Sequence, residues 1–267
     1  MELRYSPFQI FRTSKSPAGL YARQKWLGLS ETLQWKQDFQ QTVDQILAHP
    51  WPQIFRYSDA IETIARLFGL HLTVRKNNEK IDAILTRLLK LIDIDTNTLR
   101  LQDGDKDVDL IGLPFAWGHP PSMLAGAVLF LSTIFGREGD PLVVARYRWL
   151  CDEGCNQMGL WRDERSTHNI LRAMVVHPEF SQSRATAAAV EYLYNVQSSD
   201  GDWGVNFPFY QTLNALAHSN LPLAASQCDR ASNRLVANQK SDGSWGRTDP
   251  EWNTFLAVHA MKNRQWL

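Results

Sequence analysis

The sequence predicts an all-α fold, and three observations carry that prediction. The stretch Gln197-Ser198-Ser199-Asp200-Gly201-Asp202-Trp203-Gly204 returns 42 residues later as Gln239-Lys240-Ser241-Asp242-Gly243-Ser244-Trp245-Gly246. Stepping back by the same 42 residues lands on Cys155, Gly159 and Trp161, a worn third copy. A fixed period in this range marks one supersecondary unit used repeatedly. Outside these stretches apolar residues recur at helical spacing, and no segment has convincing strand alternation.

Residues 1–16 are polar to basic with scattered aromatics and no periodicity, and read as an N-terminal arm. Residues 17–267 form the repeat domain, clearest over 141–263. Pro17 to Leu29 and Ser30 to His49 are the first two helices, with Ser16 and Ser30 as N-caps and Pro50 as a stop. Tyr57-Ser58-Asp59 caps a third, in which Ile61, Ile64, Ala65 and Phe68 make an i, i+3, i+4, i+7 stripe. Asn77 and Asn78 open a fourth, with Ile81, Ile84, Leu85, Leu88, Leu89 and Ile92 on its apolar side. Asp93 to Pro121 is the one long irregular stretch, acidic at first and then apolar through Leu113-Pro114-Phe115-Ala116-Trp117. A loop of this length inside a compact domain is usually functional or partly disordered. From Ser122 helix follows helix, at about 122–136, 141–153, 166–177, 184–197, 208–219, 224–239 and 250–263.

The bulk numbers narrow the function classes. Lys plus Arg (28) balance Asp plus Glu (28), and the two signs are interspersed, so neither nucleic acid nor an anionic membrane is an expected partner. The longest apolar run, Met123 to Phe135, is too short to span a bilayer, so no transmembrane segment is expected. Met1-Glu2-Leu3-Arg4-Tyr5 lacks the apolar region of a signal peptide. With three cysteines, an odd count, free thiols and a cytoplasmic location are the expectation. Oligomeric state is not legible.

The repeat frame sorts residues by face. Gly159, Gly201 and Gly243 fit helix ends that need positive φ. The Trp two residues later can lie across a neighbouring helix end, and the Gln amide can bond backbone groups at the turn, so the device reads as a structural staple. In the second helix of each unit, Ala173, Ala215 and Ala257 coincide, as do Leu171, Leu213 and Phe255, and Met174, Leu216 and Val258. These are packing columns. Three other columns change character: His168, Tyr210 and Trp252; Arg172, Asn214 and Leu256; Val175, Ala217 and His259. Positions i, i+4 and i+7 share one helix face, so this face lines a shared internal space or lies in water.

Gln-x-x-Asp-Gly-x-Trp-Gly followed by Tyr210-Gln211-Thr212-Leu213-Asn214-Ala215-Leu216 resembles the Gln–Trp repeats of squalene and terpenoid cyclases. Protein prenyltransferase β subunits and complement-type thioester domains share that α/α toroid. The resemblance covers about residues 115–263. It implies a single α/α toroid, a ring of about five to six helix hairpins. Helices after each Trp would form an inner ring around an aromatic lumen, with inner-helix N-termini and outer-helix C-termini at one mouth.

What the resemblance implies about chemistry has to be met residue by residue. Cyclases of this type protonate an alkene or epoxide with an Asp-x-Asp-Asp motif at an inner-helix start, where desolvation keeps the acid protonated. The nearest match is Asp93-Ile94-Asp95-Thr96, which lacks the third Asp and follows an outer helix; Asp93 and Asp95 are the candidate catalytic acids. The inner-helix starts carry His168-Asn169, Tyr210-Gln211 and Trp252-Asn253 instead. Asp93-x-Asp95-x-Asn97 begins like an EF-hand loop, but Thr98 and Gly104 occupy the required Gly and Glu positions. Cys151, Cys155 and His168 have zinc-ligand types, yet the cysteines fall in packing and staple columns. No metal site and no cofactor is expected; magnesium, the one role left open, has no motif behind it. A thioester Cys-Gly-x-x-Gln is absent, as are a phosphate loop and a dinucleotide fingerprint.

The expected function is therefore a lumen that binds an apolar, isoprenoid-like small molecule, with its cyclisation or transfer left open. The alternative is a noncatalytic binding or scaffold module for a lipid or protein partner. Trp117, His119, His168, Arg172, Tyr210, Asn214, Trp252 and His259 are the candidate ligand-binding residues.

Overall fold

The computed structural model describes residues 1–48, 50–54, 56–93, 98–99, 112–115 and 120–267, and the fold is all-α. The helices are α1 (Pro17–Lys25), α2 (Leu33–Ala48), α3 (Tyr57–Thr73), α4 (Glu79–Leu91), α5 (Pro120–Ile134), α6 (Pro141–Asn156), α7 (Glu164–Val176), α8 (Arg184–Val196), α9 (Phe209–Leu216), α10 (Pro222–Ala237) and α11 (Pro250–Asn263). A two-residue antiparallel pairing of Ile92–Asp93 with Thr98–Leu99 is too short to alter the class. Among the described residues no helix is long and apolar enough to cross a membrane.

Local chemistry sets the boundaries. Ser16 caps α1 by accepting the Gly19 N–H, and Asn78 caps α4 by accepting that of Ile81 at 2.9 Å. The first two helices are shorter than the sequence suggests. α1 stops at Lys25 because Gly28 turns the chain at φ +64°. Thr32, rather than Ser30, accepts the Trp35 N–H at 3.2 Å and starts α2. α9 also ends early: the N–H groups of His218 and Ser219 reach back three residues, to Ala215 and Leu216, and tighten the last turn.

The odd-numbered helices touch in a closed cycle: α1 to α3, α3 to α5, α5 to α7, α7 to α9, α9 to α11, and α11 back to α1. The even-numbered helices pack outside them, with α6 against α8 and α8 against α10. This order agrees with a ring of six inner helices. The constant columns are its packing surfaces: Leu171, Leu213, Phe255, Met174, Leu216, Val258 and the three alanines are all buried.

The staples hold the turns as the repeat frame suggested. Gly159, Gly201 and Gly243 have φ near +87°, +87° and +84°. A Cβ on Gly159 would collide with the backbone of Ala188, and one on Gly201 with that of Arg230, both on the next outer helix. Trp161, Trp203 and Trp245 are buried; their indole N–H groups donate to Leu150 O, Gln227 Oε1 and Leu235 O. Gln197 Nε2 donates to Gly201 O and to Gln227 O, each at 3.0 Å.

At the unit of Gln239 and Gly243 the N-terminal arm sits where an outer helix sits at the other two. Gln239 Nε2 donates to Gly243 O at 3.1 Å and to Tyr5 O at 2.9 Å. Its Oε1 accepts the N–H groups of Arg4 and Tyr5, each at 3.1 Å. A Cβ on Gly243 would strike the Ser6 carbonyl, where the other two glycines face an outer helix. The arm closes the outer layer through the staple that links the repeats.

Candidate functional site

A cavity of about 230 Å³ is lined by all six odd-numbered helices. Its walls come from the later turns of the inner helices: Phe68, His71 and Leu72 of α3, Phe130 and Ile134 of α5, Arg172 and Val176 of α7, Asn214 of α9. Tyr21 of α1 and Trp252, Phe255, Leu256 and His259 of α11 complete it, with Arg75, Pro114 and His218 at its edges. Because all six odd-numbered helices contribute, side chains distant in sequence meet in one space.

An aromatic ladder forms one wall. Trp252 stacks on Phe255 at 5.1 Å and 8° between planes, and Phe255 on His259 at 5.8 Å and 7°. These residues sit at i, i+3 and i+7 on α11, which puts the rings on one helix face. Phe68 meets Trp252 edge-on at 5.6 Å, and the Trp252 indole donates to Leu113 O at 3.2 Å.

A polar chain meets the ladder at His259. Arg172 Nη2 donates to Asn214 Oδ1 at 2.9 Å and to Gln211 O at 3.1 Å. A guanidinium can only donate, so the Asn214 oxygen faces Arg172 and its NH2 faces the other way. That NH2 donates to Leu256 O at 3.2 Å and to His259 Nδ1 at 3.1 Å. His259 accepts at Nδ1, and its proton is thereby assigned to Nε2.

The electrostatics are one-sided. Burial, then Arg172 and Arg75, pushes His259 down to about 4. Burial, then Arg75 and His259, takes His71 to about 3, and His218 is held well below its usual value by burial and His259. Burial lowers Arg172 to about 9, which leaves it charged at neutral pH. No carboxylate lines this cavity among the described residues.

A second cavity, of about 360 Å³, shares Phe68, Leu72 and Trp252 with the first and lies at the start of α1 and α11. It holds Asp249 and Glu251. Asp249, at φ +49°, accepts the N–H groups of Trp252 and Gly112 at 3.3 and 3.2 Å. Glu251 accepts from Ser14 Oγ at 2.8 Å and from Ser16 Oγ. Among the described residues no group of three or more His, Cys, Asp or Glu is arranged to hold a metal ion.

Of the candidates read from sequence, Arg172, Asn214, Trp252 and His259 meet in the central cavity. His168 does not line it: the ring is buried, with Nδ1 at 3.3 Å from Thr212 Oγ1. Burial takes His168 to about 3, against the raising effect of the Pro114 carbonyl. Tyr210 is half-buried beside Phe209 and Gly246, away from both cavities. Asp95, Trp117 and His119 lie outside the described residues, and Asp93 is described in its backbone alone, just after the outer helix α4.

The sequence reading missed His71, Arg75, His218 and Phe255. His71 and Arg75 extend the Phe68 stripe by one and two turns, where it changes from apolar to basic. His218 shares a column with Val176 and Ala260, one position beyond the last column compared.

No family model matches the chain, and no curated protein matches it. The solved structure of a protein from Actinoplanes is similar over 96% of this chain and 90% of that one, with a TM-score of 0.57 and 14% sequence identity. At that identity the likeness is one of fold alone.

Proposed function

We propose that this chain is a binding module that holds a small apolar molecule in the lumen of its helical ring. The observation that carries the reading is the central cavity, walled by Tyr21, Phe68, Phe130, Trp252 and Phe255 from four different inner helices. Apolar pockets with a few convergent polar groups are the usual form of small-molecule sites. At about 230 Å³ it falls below the ~300–1,000 Å³ typical of drug-sized ligands, which favours a short molecule over a long polyisoprenoid. The three unpaired cysteines support placing the module in the cytoplasm.

A terpenoid cyclase-like activity is the second reading, supported by the Gln–Trp repeats and by two carboxylates beside the lumen. A cyclase acid has to donate a proton, whereas every hydrogen bond described at Asp249 and Glu251 is one they accept. That favours binding over acid catalysis. Native mass spectrometry of the purified chain tests the choice. A co-purified apolar molecule, released unchanged, supports binding. Conversion of an added short prenyl alcohol to a cyclic product, lost in Asp249→Asn, would support the cyclase instead.

A further inference from the structure

Resting on the lumen reading, we propose that the central cavity takes a monocarboxylate: an anionic head against Arg172 and Arg75, with a short apolar body along the aromatic ladder. Arg172 is only 3% exposed, yet its Nε has no hydrogen-bond partner. Arg75 leaves Nε and Nη2 buried and unpartnered too, with its guanidinium 4.2 Å above the Tyr21 ring. Both residues line the same space. Buried guanidinium N–H groups are ordinarily paired, and both of these guanidinium-bearing residues border one cavity.

The helix ends do not account for this. α3, α7 and α9 bring C-terminal turns to the cavity, and their partial negative charge makes arginines tolerable there. It supplies no acceptor to the three free nitrogens. His259 adds a further donor, since Asn214 holds its Nδ1 and leaves the proton on Nε2.

The head group follows from charge. A planar guanidinium fork matches a carboxylate in two-point geometry. A phosphate head would also suit a guanidinium pair, and the small volume of the cavity favours the smaller, planar carboxylate. The body follows from the walls: Phe68, Phe130, Trp252 and Phe255 offer apolar faces, and the volume restricts it to a short chain or single ring.

Calorimetric titration of the full chain with octanoate, 1-octanol and octyl phosphate tests this. Octanoate is expected to bind at one site, at least about tenfold more tightly than 1-octanol, the margin expected of one charge-assisted pair. Arg75→Gln, just past the end of α3, should remove most of that margin by weakening octanoate far more than 1-octanol. Equal binding of octanoate and 1-octanol, or an Arg75→Gln variant that still prefers octanoate tenfold, overturns the carboxylate assignment while the lumen reading stands. Octyl phosphate binding more tightly than octanoate overturns it as well. If none of the three compounds binds, the lumen reading fails together with it.

Discussion

Arg172 and Asn214 occupy the same position in successive 42-residue units, and the first donates to the side-chain oxygen of the second at 2.9 Å. The link then runs on to Leu256 O, the same position in the next unit. The repeat thus places a polar chain along the inner face of the ring. Asn214→Ala should leave the buried Arg172 charge short of an acceptor and destabilise the fold by about 2–4 kcal/mol. Denaturant unfolding of Asn214→Ala, Arg172→Met and the double variant checks it. The double variant should be less destabilised than the two single losses added together. Strict additivity would show that the pair is not coupled.

Acid should weaken the fold through the histidines that burial keeps neutral. In the unfolded chain they take up protons near 6.5, whereas His71 and His168 in the fold resist until about 3 and His259 until about 4. The unfolded state therefore binds more protons between those limits. Stability present above about pH 7 is lost as pH falls toward 4, at up to about 1.4 kcal/mol per pH unit for each histidine. His259→Gln should flatten part of that slope in urea melts at pH 7, 6 and 5. A wild-type slope that the variant leaves unchanged would contradict the burial argument.

Trp245 and Trp203 anchor the turns of their units. Trp245→Ala removes a fully buried indole and its bond to Leu235 O, at an expected cost of roughly 3–5 kcal/mol. Trp203→Phe keeps an aromatic ring but loses part of the buried volume and leaves Gln227 Oε1 without its donor, and should cost about 2–3 kcal/mol. A melting temperature unchanged in Trp245→Ala would remove the staple from the account.

The N-terminal arm should behave as part of the ring. Removing residues 1–6 strips Gln239 of three hydrogen bonds and uncovers Gly243. Thermal melts of the truncated chain should show a loss comparable with that of Gln239→Ala, and the two changes combined should cost little more than either alone. Full additivity would mean that the arm contributes through other contacts.

Much of this was legible in the sequence because it is local or periodic. Helix caps such as Ser16 and Asn78, the positive-φ glycines and the packing columns follow from spacing along one helix or one repeat. The column comparison reached Arg172, Asn214, Trp252 and His259 because α7, α9 and α11 share the 42-residue frame. It could not reach His71 of α3 or Arg75 just beyond it, since that part of the chain lies outside the frame. Nor could it place Tyr5 on Gln239, a contact between chain ends 234 residues apart that no local pattern encodes. Tyr210 shares a column with Trp252, but α9 is short and begins beside the Gly246 turn, so the ring is taken up there.

The central claim is that the lumen is a ligand site, and filling it is the most direct test. Val176, half-buried at the end of α7, lines the cavity and can be enlarged without cutting into the packed ladder. The measurement is calorimetric titration of wild type, Val176→Phe and Leu213→Ala with octanoate and 1-octanol. The account predicts one site in the wild type and affinity at least tenfold weaker in Val176→Phe, with its melting temperature kept. Leu213→Ala should lose stability by about 2–5 kcal/mol while its folded fraction still binds. Wild-type affinity in Val176→Phe would place any binding outside the lumen and contradict the account.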